Sequence, residues 1–236
     1  KTAYEIPKRD WSSDVCSSDL KELNFKNKNI LITGASGVIG KRWVELLSKS
    51  SQWDLAPKNV ILIGSSSDFV PASILPKYFK YFAINLTNSN DLNFEESFDV
   101  IVHCAGYGQP GKFLTNSQST IEINTRVIFK LLENLKPKGF FIYMSTSEIY
   151  AGEVYKHPSE EDFGKTLTSD FRSTYIESKR LGEAIIFSES RKRDFKFRIF
   201  RIGLAYGPGF RQDDKRVLNE FFKMSDRKST LLNSSH

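Results

Sequence analysis

Short, continuously apolar runs alternate along this chain with longer stretches that are apolar on one side only. The runs at Asn29 to Thr33, Val60 to Gly64, Tyr81 to Ile84, Val100 to Cys104, Phe140 to Ser145 and Phe197 to Ile202 predict strands. The one-sided stretches at Val38 to Lys49, Ser119 to Leu135 and Thr174 to Ser190 predict helices. Strands without polar alternation, such as IVHC and FFIYM, are those of a parallel sheet covered on both faces. The expected fold is α/β, a doubly wound parallel sheet. Right-handed crossovers then bring Gly34, Ser65, Asn85, Ala105, Ser145 and Gly203, each just beyond a strand, to one edge of the sheet, where ligands of such folds bind.

The first strand runs into GASGVIG, Gly34 to Gly40. Three glycines at that spacing let a strand turn sharply into a helix whose N-terminal amides can hold a pyrophosphate. Far downstream, Tyr175 and Lys179 are four residues apart in STYIESKRLGEAIIF, so a helix places both on one face. A free phenol titrates near pH ~10, and holding it as phenolate near neutrality needs a shift of roughly three units, or about 4 kcal/mol. A neighbouring ammonium and an oxidised nicotinamide, shielded from water, are suitable sources of that shift. The phenolate would take the hydroxyl proton of an alcohol while its carbon gives up hydride, with Ser145 or Thr146 bonding the same oxygen. A Y-x-x-x-K pair alone is a weak signal; behind a glycine turn and a Ser-Thr strand end, it is a strong one.

The 236 residues carry 34 Lys and Arg against 28 Asp and Glu, a net charge of +6. That suits a phosphate-bearing ligand and does not indicate nucleic acid; Arg191-Lys192-Arg193 is read as a solvated helix end. No apolar run reaches the roughly 20 residues of a membrane span, and no signal peptide is recognisable. Residues 11 to 20, WSSDVCSSDL, and 226 to 236, DRKSTLLNSSH, resemble a translated DNA linker read from its two strands. Residues 1–20 and 226–236 are therefore expected to be non-native tails. A dinucleotide-binding domain is expected over 21–210, with the start of a substrate lobe over 211–225 and the natural reading frame cut near Ser225. Without Cys16 the single remaining thiol is Cys104, which leaves no disulfide or cysteine metal site and makes a reducing cytoplasm the expected compartment.

With these motifs in order, the chain resembles the extended short-chain dehydrogenase/reductases of the NAD-dependent epimerase/dehydratase family, over roughly residues 28 to 223. The resemblance rests on GASGVIG, HCAG, Asn124 in the following helix, STSEIY, YIESK and AYGPG. It is closest to the UDP-glucuronate decarboxylase branch, through STSEIY, HPSEEDFG, the Y-x-E-x-K-R helix and GPGFRQDDKRVLNEFF. It implies that Thr146, Glu148, Tyr175 and Lys179, with Ser145, carry the chemistry, and that Gly34, Gly37 and Gly40 hold the dinucleotide. Further candidate contacts to NAD are Ser36, Val38, Ile39, Ser65, Asn85, Leu86, Cys104, Ala105, Gly106, Asn124 and Ile202, beside Tyr175 and Lys179. Arg211 and Arg216, with Lys215, either bind the substrate diphosphate or form a solvated basic segment.

That branch oxidises C4 of the sugar, loses carbon dioxide from the resulting β-keto acid and returns the hydride, so a nucleotide sugar is the implied substrate and a homodimer the implied assembly. Ser147 stands where 4,6-dehydratases carry the Asp that acts as acid, which moves dehydration behind decarboxylation and epimerisation. Glu148 either orients the sugar or manages a proton, or pairs locally at the strand end. Two departures stand out. The second strand ends in Gly64-Ser65-Ser66-Ser67-Asp68, with neither the carboxylate nor the arginine that sorts NAD from NADP at the first position, and Asp68 either reaches back or solvates a loop, so NADP is not excluded. Leu204 replaces a substrate-binding Asn common in the family. His103 is read as a packed core histidine, and Tyr107 to Lys112 as a loop over the nicotinamide or a plain connection. An NADP-linked carbonyl reductase and a non-catalytic dinucleotide-binding regulator are the competing functions.

Overall fold

The computed structural model describes residues 24–65, 75–88, 92, 94–153, 158–159, 161–203, 205, 220–221 and 224. Its centre is a sheet of six parallel strands: β1 (Asn29–Thr33), β2 (Asn59–Gly64), β3 (Phe79–Ala83), β4 (Phe98–His103), β5 (Leu135–Thr146) and β6 (Lys196–Ile202). Their spatial order is β3-β2-β1-β4-β5-β6. The chain winds outward from β1 on one side and from β4 on the other, so the sheet has its switch point between those two strands, as in dinucleotide-binding folds.

Successive residues of each central strand go to opposite faces, and both faces are covered. Ile30, Ile32, Val100, Val102, Ile142 and Met144 join one apolar cluster with Val44 and Leu47; Leu31, Ile101, Phe141 and Tyr143 join the other with Ile128, Leu131 and Ile186. This is why the runs read as continuously hydrophobic. Burying each such side chain contributes about 1.5–3 kcal/mol. Helix α1 (Val38–Lys49) covers the first face through Gly40, Val44 and Leu47, a spacing that keeps them on one side. Asp54, in the left-handed region at φ 56°, turns the chain after it toward β2.

Four findings correct the sequence reading. The stretch expected to be one helix over 119 to 135 is two, α3 (Ser117–Asn124) and α4 (Arg126–Glu133), broken at Thr125, whose φ and ψ of −130° and −83° lie outside the helical region. Leu135 belongs to β5, which begins five residues earlier than Phe140 because Leu135 pairs with Phe98 ahead of a register shift. The third strand begins at Phe79, where its ladder to Val60 starts. The segment read as a loop contains a short helix, α2 (Pro110–Thr115), with proline in its first turn, where the missing N–H costs nothing. Helix α5 (Ser173–Ser190) follows the prediction to within one residue. Among the described residues no helix is long and apolar enough to cross a membrane.

Candidate active site

The strand ends open onto two clefts, of about 310 and 620 Å³, which share Ile39, the wall from Cys104 to Gln109, Lys112 and Ala205. The smaller lies at the glycine turn. Gly34 has φ +67°, and a side-chain carbon there would lie 2.5 Å from the Ala105 backbone nitrogen; one on Gly40 would lie 2.1 Å from the Gly34 carbonyl oxygen. Only glycine permits β1 to pass so close to β4 and then enter α1. Gly37 is the N-cap of α1, and no acidic residue stands in the first turn of that helix to compete with an anion. Of the candidate dinucleotide contacts, Gly34, Ser36, Gly37, Val38, Ile39, Gly40, Ser65, Asn85, Leu86, Cys104, Ala105 and Gly106 all line this cleft. The turn therefore has the shape and polarity to hold a pyrophosphate.

The larger cleft is lined by Ser145, Thr146, Glu148, Tyr175, Lys179 and Ile202. Tyr175 and Lys179 lie one turn apart on α5, both buried. The Tyr175 ring stacks on Phe113 of α2, with centroids 4.5 Å apart and planes 8° from parallel. Lys179 Nζ donates to the Met144 carbonyl at 2.7 Å and sits 4.7 Å from the centre of the Tyr143 ring. Burial pushes its pKa down to about 7, against the smaller opposing influence of Cys104 and Glu183.

The neighbouring hydroxyls part company. Ser145 donates a short hydrogen bond to Glu183, a buried carboxylate that also receives the Arg201 guanidinium, at 2.9 Å for the closest pair. Thr146 Oγ1 accepts from the Glu148 backbone N–H at 3.2 Å, capping the short 3-10 turn that carries Glu148. Glu148 is held by both arms of Arg172, whose Nε lies 2.9 Å from Oε2, and Arg172 in turn lies over the Phe113 ring. Both partners of this pair are about one-third exposed at the cleft.

Asn124 lines neither cleft. It is buried beneath them, donating to Thr120 O at 3.0 Å and Ser178 Oγ at 3.1 Å and accepting from Tyr143 Oη. His103 is likewise a core residue. Its Nε2 meets the Ile123 carbonyl and so carries the hydrogen, leaving Nδ1 to accept from Thr33 Oγ1 at 2.7 Å. Burial pushes its pKa down to about 3, with Lys179 adding to the shift, and burial pushes the Cys104 thiol up to about 12. Arg211, Lys215, Arg216, Asp68 and Leu204 lie outside the described residues, as do the tails at 1–20 and 226–236.

Sequence reasoning passed over Phe113, Arg172, Glu183 and Arg201. Glu183 follows Tyr175 and Lys179 at the same four-residue spacing, and Arg172 precedes Tyr175 by three, so both were visible as continuations of the Tyr175/Lys179 face. Phe113 was hidden by the Gly- and Pro-rich segment around it.

Comparison with known proteins agrees with this geometry. The chain is 30% identical over 220 residues to UDP-glucuronic acid decarboxylase 6 of Arabidopsis thaliana, covering 91% of this chain and 62% of that protein's length. Among solved structures it resembles UDP-glucuronic acid 4-epimerase of Bacillus cereus, in a complex with UDP-glucuronic acid and NAD, with a TM-score of 0.64 and 26% identity over 83% of this chain and 63% of the other. It shares the fold of UDP-N-acetylglucosamine 4-epimerase of Methanobrevibacter ruminantium, with a TM-score of 0.68 and 19% identity over 89% of this chain and 64% of the other. The family model for NAD dependent epimerases/dehydratases matches residues 30–234. With the glycine turn, the Tyr175/Lys179 face and the sheet order all as that family requires, the chain belongs to the NAD-dependent epimerase/dehydratase family.

Proposed function

We propose that this chain is the coenzyme-binding and acid/base part of a nucleotide-sugar enzyme that oxidises C4 of the sugar transiently, with UDP-glucuronate decarboxylation as its reaction. The observation that carries this reading is the convergence of Thr146, Glu148 with Arg172, Tyr175 and Lys179 on one cleft that is continuous with the glycine turn. NAD, when bound, supplies the acceptor and later the donor of the C4 hydride. Tyr175 takes the proton of the C4 hydroxyl and returns it, while Lys179 adds positive charge on the same helix face and favours the phenolate. Thr146 holds the C4 oxygen; Ser145, committed to Glu183, fixes the strand end instead. Oxidation at C4 makes the C5 carboxylate that of a β-keto acid; carbon dioxide leaves as the C–C bond pair passes into the C4–C5 enolate, and C5 takes a proton from solvent before the hydride returns to C4. Arg172 holds Glu148 through both arms and aims it along the cleft, where it can orient the ring or manage a proton.

The 4-epimerase reading is favoured by one observation, the 26% identity to the Bacillus cereus enzyme. Both reactions share every step until carbon dioxide leaves, and the products separate them. In the same proposal residues 21–210 form the dinucleotide domain, 211–225 begin the substrate lobe, and Arg211 and Arg216 meet the diphosphate. The relatives are longer than this chain, and residues 21–225 alone are expected to bind NAD weakly and to turn over no sugar, since orienting the substrate is worth about 7 kcal/mol or more of barrier. A cytoplasmic homodimer completes the reading; exposed Ile121, Phe129 and Leu181 on the neighbouring helices α3, α4 and α5 support the dimer. The test is product analysis with UDP-glucuronate and catalytic NAD in a version of the chain that includes the substrate lobe. Carbon dioxide with the pentose nucleotide supports decarboxylation, a C4-inverted uronate supports epimerisation, and no conversion counts against both.

A further inference from the structure

Among the described residues, the adenosine end of the dinucleotide cleft holds no carboxylate of the kind that selects NAD. In folds of this order a carboxylate at the end of β2 accepts a hydrogen bond from the ribose 2′-hydroxyl and repels a 2′-phosphate. Here β2 ends at Gly64. A side-chain carbon built on Gly64 would lie 2.4 Å from the Tyr81 hydroxyl and 3.0 Å from Ser36 Oγ, so those two groups from β3 and the glycine turn occupy the place where a longer side chain would stand. The next residue, Ser65, is exposed and lines the cleft. Among the described residues that line this cleft none is acidic, and Lys112 is the basic one.

Hydroxyls are both donors and acceptors. Ser36 and Ser65, which line the cleft, can accept from a ribose hydroxyl and can equally donate to phosphate oxygens, whereas a carboxylate can only accept. The surrounding charge also favours an anion: the first turn of α1 holds no acidic residue, and Lys41 and Arg42 follow directly on Gly40, Arg42 being shared with Glu45. We propose that Ser36 and Ser65, beside Gly64, form a neutral ribose site through which this chain accepts NADP as well as NAD. The proposal rests on the dinucleotide-binding part of the function given above, and goes beyond it in naming the second coenzyme and the residues that admit it.

The test is equilibrium titration of the chain with NAD and with NADP separately, followed by calorimetry and without any sugar. The expected result is two dissociation constants within about tenfold of each other. Ser65→Asp, at an exposed position that tolerates the change, should weaken NADP by at least about twentyfold through charge repulsion and change NAD by less than about fivefold. Binding of NAD with NADP weaker by about a hundredfold or more in the parent chain would overturn the proposal while leaving the function intact. If Asp68→Asn then admitted NADP, the discrimination would belong to Asp68. Binding of neither coenzyme would overturn both readings.

Discussion

The two halves of the ligand edge are built by opposite means. At the β1 turn the structure depends on what is missing: Gly34 and Gly40 leave room for backbone to pass backbone. At the β5 and α5 end it depends on side chains that are difficult to bury, Lys179, Glu183, Ser145 and Asn124, each tied to a partner. Loss of space therefore disables the first half, and loss of a partner disables the second. In the proposed function the first half determines whether a dinucleotide can bind, and the second what is done with it.

The largest effect is expected from filling the turn. Gly34→Ala combines a positive φ with backbone contact below 3 Å, and should cost about 4 kcal/mol or more, read as loss of the cooperative unfolding transition or of soluble protein. Tyr175→Phe, in a version that includes the substrate lobe, should lower turnover by about a thousandfold, or about 4 kcal/mol of barrier, with NAD affinity changed only a few-fold. Retained turnover would remove the proposed acid/base. Glu183→Gln leaves Arg201 and Ser145 without their carboxylate, and about 2–3 kcal/mol of stability should be lost in denaturant titration. Ser145→Ala should then act like a weaker Glu183→Gln on stability with little change in kcat, while Thr146→Val should lower kcat with little change in stability. The reverse pattern would exchange their roles.

An effect confined to acid pH concerns His103. Its folded pKa of about 3 lies below the ordinary 6.5, so the unfolded chain binds more protons between those values. Stability is unaffected above pH 6.5 and falls as the pH drops from there toward 3. Replacing His103 with Gln should flatten that part of the pH–stability curve, measured against the parent over pH 4 to 8.

The difference between the halves also explains what the sequence disclosed. Glycine spacing marks a turn because close approach leaves few residue types to choose from, so the first half was legible as GASGVIG beside an apolar strand. Tyr175 and Lys179 were legible because helical period alone places them together. The partners were less so. Glu183 joins Ser145 and Arg201 across three elements, and only the stacking of β5, α5 and β6 brings them within reach. Helix α2 was missed because glycine and proline near Pro110 indicate a loop locally, while the burial of Phe113 against Tyr175 outweighs that preference. The break at Thr125 was hidden for a related reason. Apolar residues continue on both sides of it at helical spacing, and the Thr125 hydroxyl turns back to the Ile121 carbonyl at 2.7 Å.

The measurement that bears most directly on the central claim is the coenzyme balance during turnover. A version of the chain that includes the substrate lobe is incubated with excess UDP-glucuronate and NAD at a small fraction of the substrate, while carbon dioxide and reduced coenzyme are followed together. The account predicts many equivalents of carbon dioxide per NAD and no net accumulation of NADH, because the hydride taken from C4 is returned to the same sugar. Conversion that stops once one equivalent of coenzyme has been used, or that consumes added reduced coenzyme in proportion to product, would contradict it and identify an ordinary reductase.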